Sequence, residues 1–118
     1  GSGDNDLAQG RSVAEVLADA RALLAAVHRD QPDAEVSLIA AKPSVQRWSL
    51  RGDYRALNDG FARLARADER ITFVDVWNEL LGPAGQVRPE LYASDGLHLN
   101  RSGYRIYSEA IAAAGPSA

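Results

Sequence analysis

The chain contains no cysteine. Disulfides, thiolate nucleophiles and cysteine-ligated zinc are therefore excluded. Compartment stays open, because a cysteine-free protein suits either redox environment. Histidine is scarce too: His28 and His98 are the only two. They stand far apart and neither shows ligand spacing, so no metal and no other cofactor is expected. No apolar run approaches the roughly 20 residues needed to cross a bilayer as a helix. There is no excess of positive charge. Thirteen Lys and Arg face sixteen Asp and Glu, a net charge of −3, and no basic run or face is present, which argues against a nucleic-acid partner. Internal repeats, low-complexity segments and linkers are also lacking. What remains is ordinary for a globular domain, 46% hydrophobic and 25% charged over 118 residues, a length suited to one domain.

Periodicity supplies the elements. Ser12-Val13-Ala14-Glu15 reads as a capping box, with Ser12 as N-cap and Glu15 reaching back to it. Val13, Val16, Leu17, Ala20, Leu24 and Val27 then recur at helical spacing. His28, near the end of that helix, reads as a C-terminal cap or dipole partner rather than a ligand, and Pro32 stops the helix. Val36 to Ala41 is a nearly continuous apolar run, as in a buried parallel strand. Lys42-Pro43-Ser44 ends it. Leu50, Tyr54, Leu57, Phe61 and Leu64 mark one face of a second helix, in which Gly60 costs about 1 kcal/mol relative to Ala. Ile71 to Val76 is the next strand, ending at Trp77. Gly82, Pro83, Gly85 and Pro89 make Asn78 to Ser94 a long loop. A last helix runs from Arg101 to Ala114, with Tyr104, Tyr107, Ala110 and Ile111 facing inward.

The order helix, strand, helix, strand, loop, helix points to an α/β fold with a parallel sheet and right-handed crossovers. Such sheets build their sites beyond the carboxyl ends of the strands. Lys42 to Ser44, Trp77 to Ser94 and the turn Asp95–His98 all fall there, and so does Gly3–Asp6 if a strand precedes it. Two strands alone make a poor sheet, so the chain should require a partner segment.

The chemistry is concentrated in two short clusters. Asp95-Gly96-Leu97-His98 places an acid three residues before a histidine. A carboxylate there can curl back to accept the imidazole Nδ1–H, leaving Nε2 as a general base. An acid near a loop histidine is also a common helix cap or surface pair. Gly3-Asp4-Asn5-Asp6 offers a side-chain amide behind a glycine, a donor suited to an oxyanion. The same residues serve equally as a polar turn. Ser44 is the best internal candidate for a nucleophile, although a serine after a strand more often caps a helix. Asp75 reads as a loop anchor. Trp48, Trp77 and Tyr92 either wall an acyl pocket or belong to the core.

Together the clusters resemble the SGNH, or GDSL-type, serine hydrolases. That family carries a Gly-x-Asn-Asp block and, well downstream, an Asp-x-x-His block, here Gly3–Asp6 and Asp95–His98. Lys42-Pro43-Ser44 with Arg47-Trp48, Phe73-Val74-Asp75-Val76, and Asp95 to Asn100 with Gly103-Tyr104 are similar to its central and closing regions. The resemblance implies a flavodoxin-like three-layer fold with a parallel sheet. It implies a serine esterase or lipase-like activity on carboxylic esters, with His98 as base, Asp95 as its orienting acid, Asn5 as oxyanion donor and Gly3 shaping that turn.

The family's Gly-Asp-Ser nucleophile block and its oxyanion glycine have no counterpart in the chain. Residues 1–118 are therefore expected to be the C-terminal portion of a single SGNH hydrolase domain, without its N-terminal strands and inactive alone. Gly1-Ser2 reads as a cloning remnant or the far side of a chain break, and Ser2 as a poor nucleophile, since a chain end holds nothing in position. The expected partners are a small-molecule, lipid or acetyl ester and the N-terminal segment or another copy of the chain. Secretion or a periplasmic location is slightly favoured. Two other readings stand beside this one: a non-catalytic α/β interaction module, and one half of a split or cleaved hydrolase active only as a complex.

Overall fold

A computed structural model describes residues 3–114. Gly1 and Ser2, and with them the readings of a cloning remnant and a poor nucleophile, lie outside the described residues. The elements are α1 (Asp4–Ala8), α2 (Val13–Asp30), β1 (Val36–Ile39), α3 (Arg51–Ala67), β2 (Ile71–Val74), α4 (Val76–Glu79) and α5 (Arg101–Ala113), with short 3-10 turns at Trp48–Leu50 and Pro89–Leu91. The architecture is α/β, with β1 and β2 paired in parallel from Val36 opposite Ile71 to Ile39 opposite Val74.

The capping box is present in full. Ser12 Oγ accepts from the Glu15 amide at 3.1 Å, and Glu15 accepts from the Ser12 amide at 2.9 Å. It starts α2 one turn before Val16 and Leu17, which are buried together with Leu24. Each such side chain contributes roughly 1.5–3 kcal/mol on burial, so this stripe sets which face of α2 meets α3. From α3, Tyr54, Leu57 and Phe61 enter the same core, joined from the C-terminal half by Val76, Trp77, Leu80, Leu91, Tyr92 and Leu99. Asn58 is the polar member of that face. Its Oδ1 accepts from the Ala41 amide at 2.8 Å and its Nδ2 donates to the Ala41 carbonyl at 3.1 Å. The chain leaving β1 is thereby tied to α3 where the strand ladder stops.

Several boundaries differ from the sequence expectation. The first strand ends at Ile39 rather than Ala41, because Ala41 bonds to Asn58 instead of to a neighbouring strand. Nor is that strand buried on both faces: Val36, Leu38 and Ile39 are half-exposed and Ser37 exposed. β2 ends at Val74 rather than Val76. Asp75 accepts from the Asn78 amide at 3.0 Å and caps α4, so Val76 and Trp77 are helical. The long loop contains the 3-10 turn Pro89–Leu91. Tyr104 does not face inward. It is 58% exposed, with its ring edge-on to half-buried Tyr107.

Candidate active site

The turn before α5 orients His98. Asp95 Oδ1 accepts from the backbone amides of Leu97, at 2.9 Å, and His98, at 3.0 Å. That Asx-type turn spends one carboxylate oxygen on the backbone. It aims the other, Oδ2, at His98 Nδ1, 2.6 Å away. Gly96 makes the reversal at φ 67°. The bond to His98, followed by those from the two amides, holds the Asp95 carboxyl well below the usual carboxylate range. An ionised Asp95 selects the tautomer with the proton on Nδ1, leaving Nε2 the acceptor. The imidazole is largely solvent-accessible, its side chain 75% exposed, so Nε2 is open to a reacting group. Asn100 caps α5 through the Gly103 amide at 3.0 Å, and its Nδ2 donates to Glu90 and Tyr92 carbonyls. His98 therefore sits between two fixed turns.

The N-terminal cluster is the start of a helix. Gly3 has φ 83°, and a Cβ on it would lie 2.6 Å from Leu57 Cδ2. Both the left-handed backbone and the close approach require glycine. The Tyr54 hydroxyl donates to the Asp4 carbonyl at 2.8 Å, which seats α1 on α3. Asn5 is exposed. Its Oδ1 accepts from Arg47 Nη1 at 2.9 Å.

The segment after β1 connects the two clusters. The Gln46 amide donates to the Gly96 carbonyl at 3.0 Å. Lys42 Nζ donates to the Leu97 carbonyl at 3.2 Å, and burial lowers the pKa of this ammonium. The Tyr92 hydroxyl donates to the Pro43 carbonyl, and burial pushes its pKa upward. Residues 42–47 thus touch the histidine turn with two bonds and Asn5 with a third.

The remaining candidates take structural positions. Ser44 is 2% exposed, and its Oγ accepts from the Arg47 amide at 3.1 Å, so it closes a turn. Among the described residues no serine hydroxyl bonds to His98 Nε2. Trp77 and Tyr92 are core residues, and Trp48 stacks on Trp77 at 6.0 Å and 8°. His28 Nε2 pairs with the Ala34 carbonyl at 2.9 Å and pins the reversal after α2. Among the described residues no three His, Asp or Glu side chains could hold a metal, and no helix is long and apolar enough to cross a membrane.

Arg47, Lys42, Tyr54 and Asn58 are the contributors that sequence reasoning left unassigned. Tyr54 reads only as part of an apolar helix face. Arg47 lies 42 positions from Asn5, so no local spacing reports their meeting. The proximity of Arg47-Trp48 to Lys42-Pro43-Ser44 was the available signal.

Known structures share this fold. A Streptococcus pneumonia protein provisionally assigned as a platelet activating factor superposes with a TM-score of 0.80 at 30% identity, over 92% of this chain and 54% of its own. The esterase domain of the ORF1 protein from the zebrafish ZfL2-1 retrotransposon gives 0.72 at 26% identity, over 93% of this chain and 62% of its own. The chain thus spans a little over half the length of these structures. No curated protein sequence matches it. Residues 2–106 match the GDSL-like Lipase/Acylhydrolase family over most of the chain. The parallel α/β layering has the SGNH-hydrolase form, and the chain belongs to the GDSL-like Lipase/Acylhydrolase family.

Proposed function

We propose that this chain is the part of a serine ester hydrolase that carries the base and an oxyanion donor. The observation that carries the reading is the 2.6 Å contact between Asp95 and His98 Nδ1, with the imidazole open to solvent. In the reaction, His98 Nε2 removes the proton from a serine hydroxyl as it attacks the ester carbonyl, then returns it to the leaving alkoxide. Asp95 stabilises the imidazolium formed between those steps. Asn5 Nδ2 donates to the tetrahedral oxyanion. Gly3 sets the turn that presents Asn5.

The serine is proposed to come from a segment outside the 118 residues, with residues 1–118 as the C-terminal portion of one hydrolase domain. Three features support this. Ser44 is buried and already serves as an acceptor. β1 has one partner strand and an unpaired outer edge among the described residues. Beside β1 and α2 lies an apolar groove of about 360 Å³ lined by Val16, Leu23, Leu24, Val27, Val36 and Leu38. A strand laid along β1 would cover that groove and bring its carboxyl end towards His98. The substrate class is a carboxylic ester, and no cofactor takes part.

The test combines the chain with the nucleophile-bearing segment and follows hydrolysis of a p-nitrophenyl short-chain ester. His98→Ala should remove most of the rate, and Asp95→Ala less, since an imidazole remains. Asn5→Ala should cost about 2.7–4 kcal/mol of transition-state stabilisation, expressed in kcat rather than KM. The chain by itself should give no turnover above background. Turnover by the isolated chain that His98→Ala abolishes would reveal an internal nucleophile, and full activity without His98 would overturn the mechanism.

A further inference from the structure

We infer that Arg47 is a positioning residue that fixes the Asn5 amide, so that Nδ2 rather than Oδ1 faces the reacting carbonyl. The inference rests on the oxyanion role of Asn5 proposed above and adds the element that sets its orientation. The terminal torsion of an asparagine is broad and roughly two-fold. An exposed amide on a short helix therefore presents its oxygen and its nitrogen to the same place by turns. Only one of the two can stabilise an oxyanion. A guanidinium is donor-only, with five N–H groups in a rigid fork. At 2.9 Å from Asn5 it accepts only the orientation that offers Oδ1. The flipped amide would set NH₂ against N–H. Asn5 makes no other side-chain hydrogen bond among the described residues, so Arg47 alone selects the orientation and leaves Nδ2 free.

Arg47 is itself held. It is half-buried, its backbone amide donates to Ser44 Oγ at 3.1 Å, and its guanidinium lies beside the Tyr54 hydroxyl. Its neighbour Gln46 grips the Gly96 carbonyl at 3.0 Å. One short segment therefore sets the oxyanion donor at one end and the turn of the base at the other.

The experiment is a double-mutant cycle in the complete enzyme, the chain with its nucleophile-bearing segment, read by ester hydrolysis. Arg47→Ala should lower kcat on the order of tenfold with KM little changed, below the 10²–10³-fold ceiling set by losing a single oxyanion donor outright. Arg47→Lys, which keeps a donor towards Oδ1, should recover most of that loss. In an Asn5→Ala background Arg47→Ala should cost nothing more, because its effect runs through Asn5. Arg47→Met retains the aliphatic stem and should repeat the Ala result, separating the donor from its packing. An equal loss from Arg47→Ala in both backgrounds, or a raised KM at unchanged kcat, would overturn the inference and leave the oxyanion role of Asn5 standing. Wild-type kcat in Asn5→Ala would remove both.

Discussion

Gly103→Ala puts the packing around the His98 turn to a quantitative test. Gly103 lies in the first turn of α5 and its amide is capped by Asn100. At an ordinary helical position, alanine in place of glycine stabilises by roughly 0.4–1 kcal/mol. Here a Cβ would meet the Leu91 carbonyl oxygen at 2.3 Å and Leu99 Cδ2 at 2.8 Å. Ordinary contact begins near 3.4 Å, so α5 and Leu91 must part by about 1.1 Å (3.4 less 2.3). The Leu91 oxygen cannot yield freely, because it accepts from the Asn100 amide at 2.9 Å. Overpacking of this kind costs about 1–3 kcal/mol, and weakening the hydrogen bond adds about 0.5–1.5 kcal/mol. Set against the helix gain, the net is a loss of about 2 kcal/mol, or roughly 4–8 °C in Tm for a complete domain of about 200 residues. Gly52→Ala is the internal control. It also lies at the start of a helix, but nothing stands within 4 Å of its Cβ position, so it should be neutral or mildly stabilising. The assay is thermal and urea unfolding of the complete protein, followed by fluorescence of Trp48 and Trp77. A Gly103→Ala protein as stable as the Gly52→Ala control would refute the close approach of α5 to Leu91.

Asn58→Ala removes both partners of buried Ala41 and should destabilise by about 2–4 kcal/mol, the cost of leaving an amide and a carbonyl unsatisfied beside a lost packed side chain; a loss under about 1 kcal/mol in urea unfolding would contradict the link between α3 and β1. Tyr92→Phe deletes the bond to the Pro43 carbonyl and should cost about 1 kcal/mol, and its destabilisation should be independent of pH through the neutral range, since burial moves the phenol's titration upward. Because the folded pKa of Asp95 is depressed, its interaction with His98 contributes above the unfolded carboxylate range and is lost as pH falls through the lower folded value. Carbon-detected NMR of the Asp95 carboxyl should accordingly show a midpoint well below that of an unperturbed aspartate, and one at the ordinary value would break the pair.

Much of this was legible in the chain itself. The capping box, the two apolar strand segments, the helix between them and the tight turn at Asp95–His98 each depend on residues within a few positions of one another. Local hydrogen bonds and periodicity therefore express them in sequence. Asp75, read as a loop anchor, proved to be a helix cap instead, bonding to the amide three residues on.

Tertiary contact decided the rest. Whether β1 runs to Ala41 depends on Asn58, 17 residues away, and no periodicity encodes that competition. Tyr104 and Tyr107 have the same residue type on the same helix, yet only the position of neighbouring elements leaves one ring 58% exposed and the other half-buried. Gly3 reads as a turn residue in sequence, and only Leu57 shows that its missing Cβ is also a packing requirement. The bond from Arg47 to Asn5 crosses 42 residues. The sequence determined which polar groups stand in the two short clusters, because that is fixed by residue type and short spacing. The fold determined how they are aimed, because orientation comes from side chains that meet only when distant segments pack.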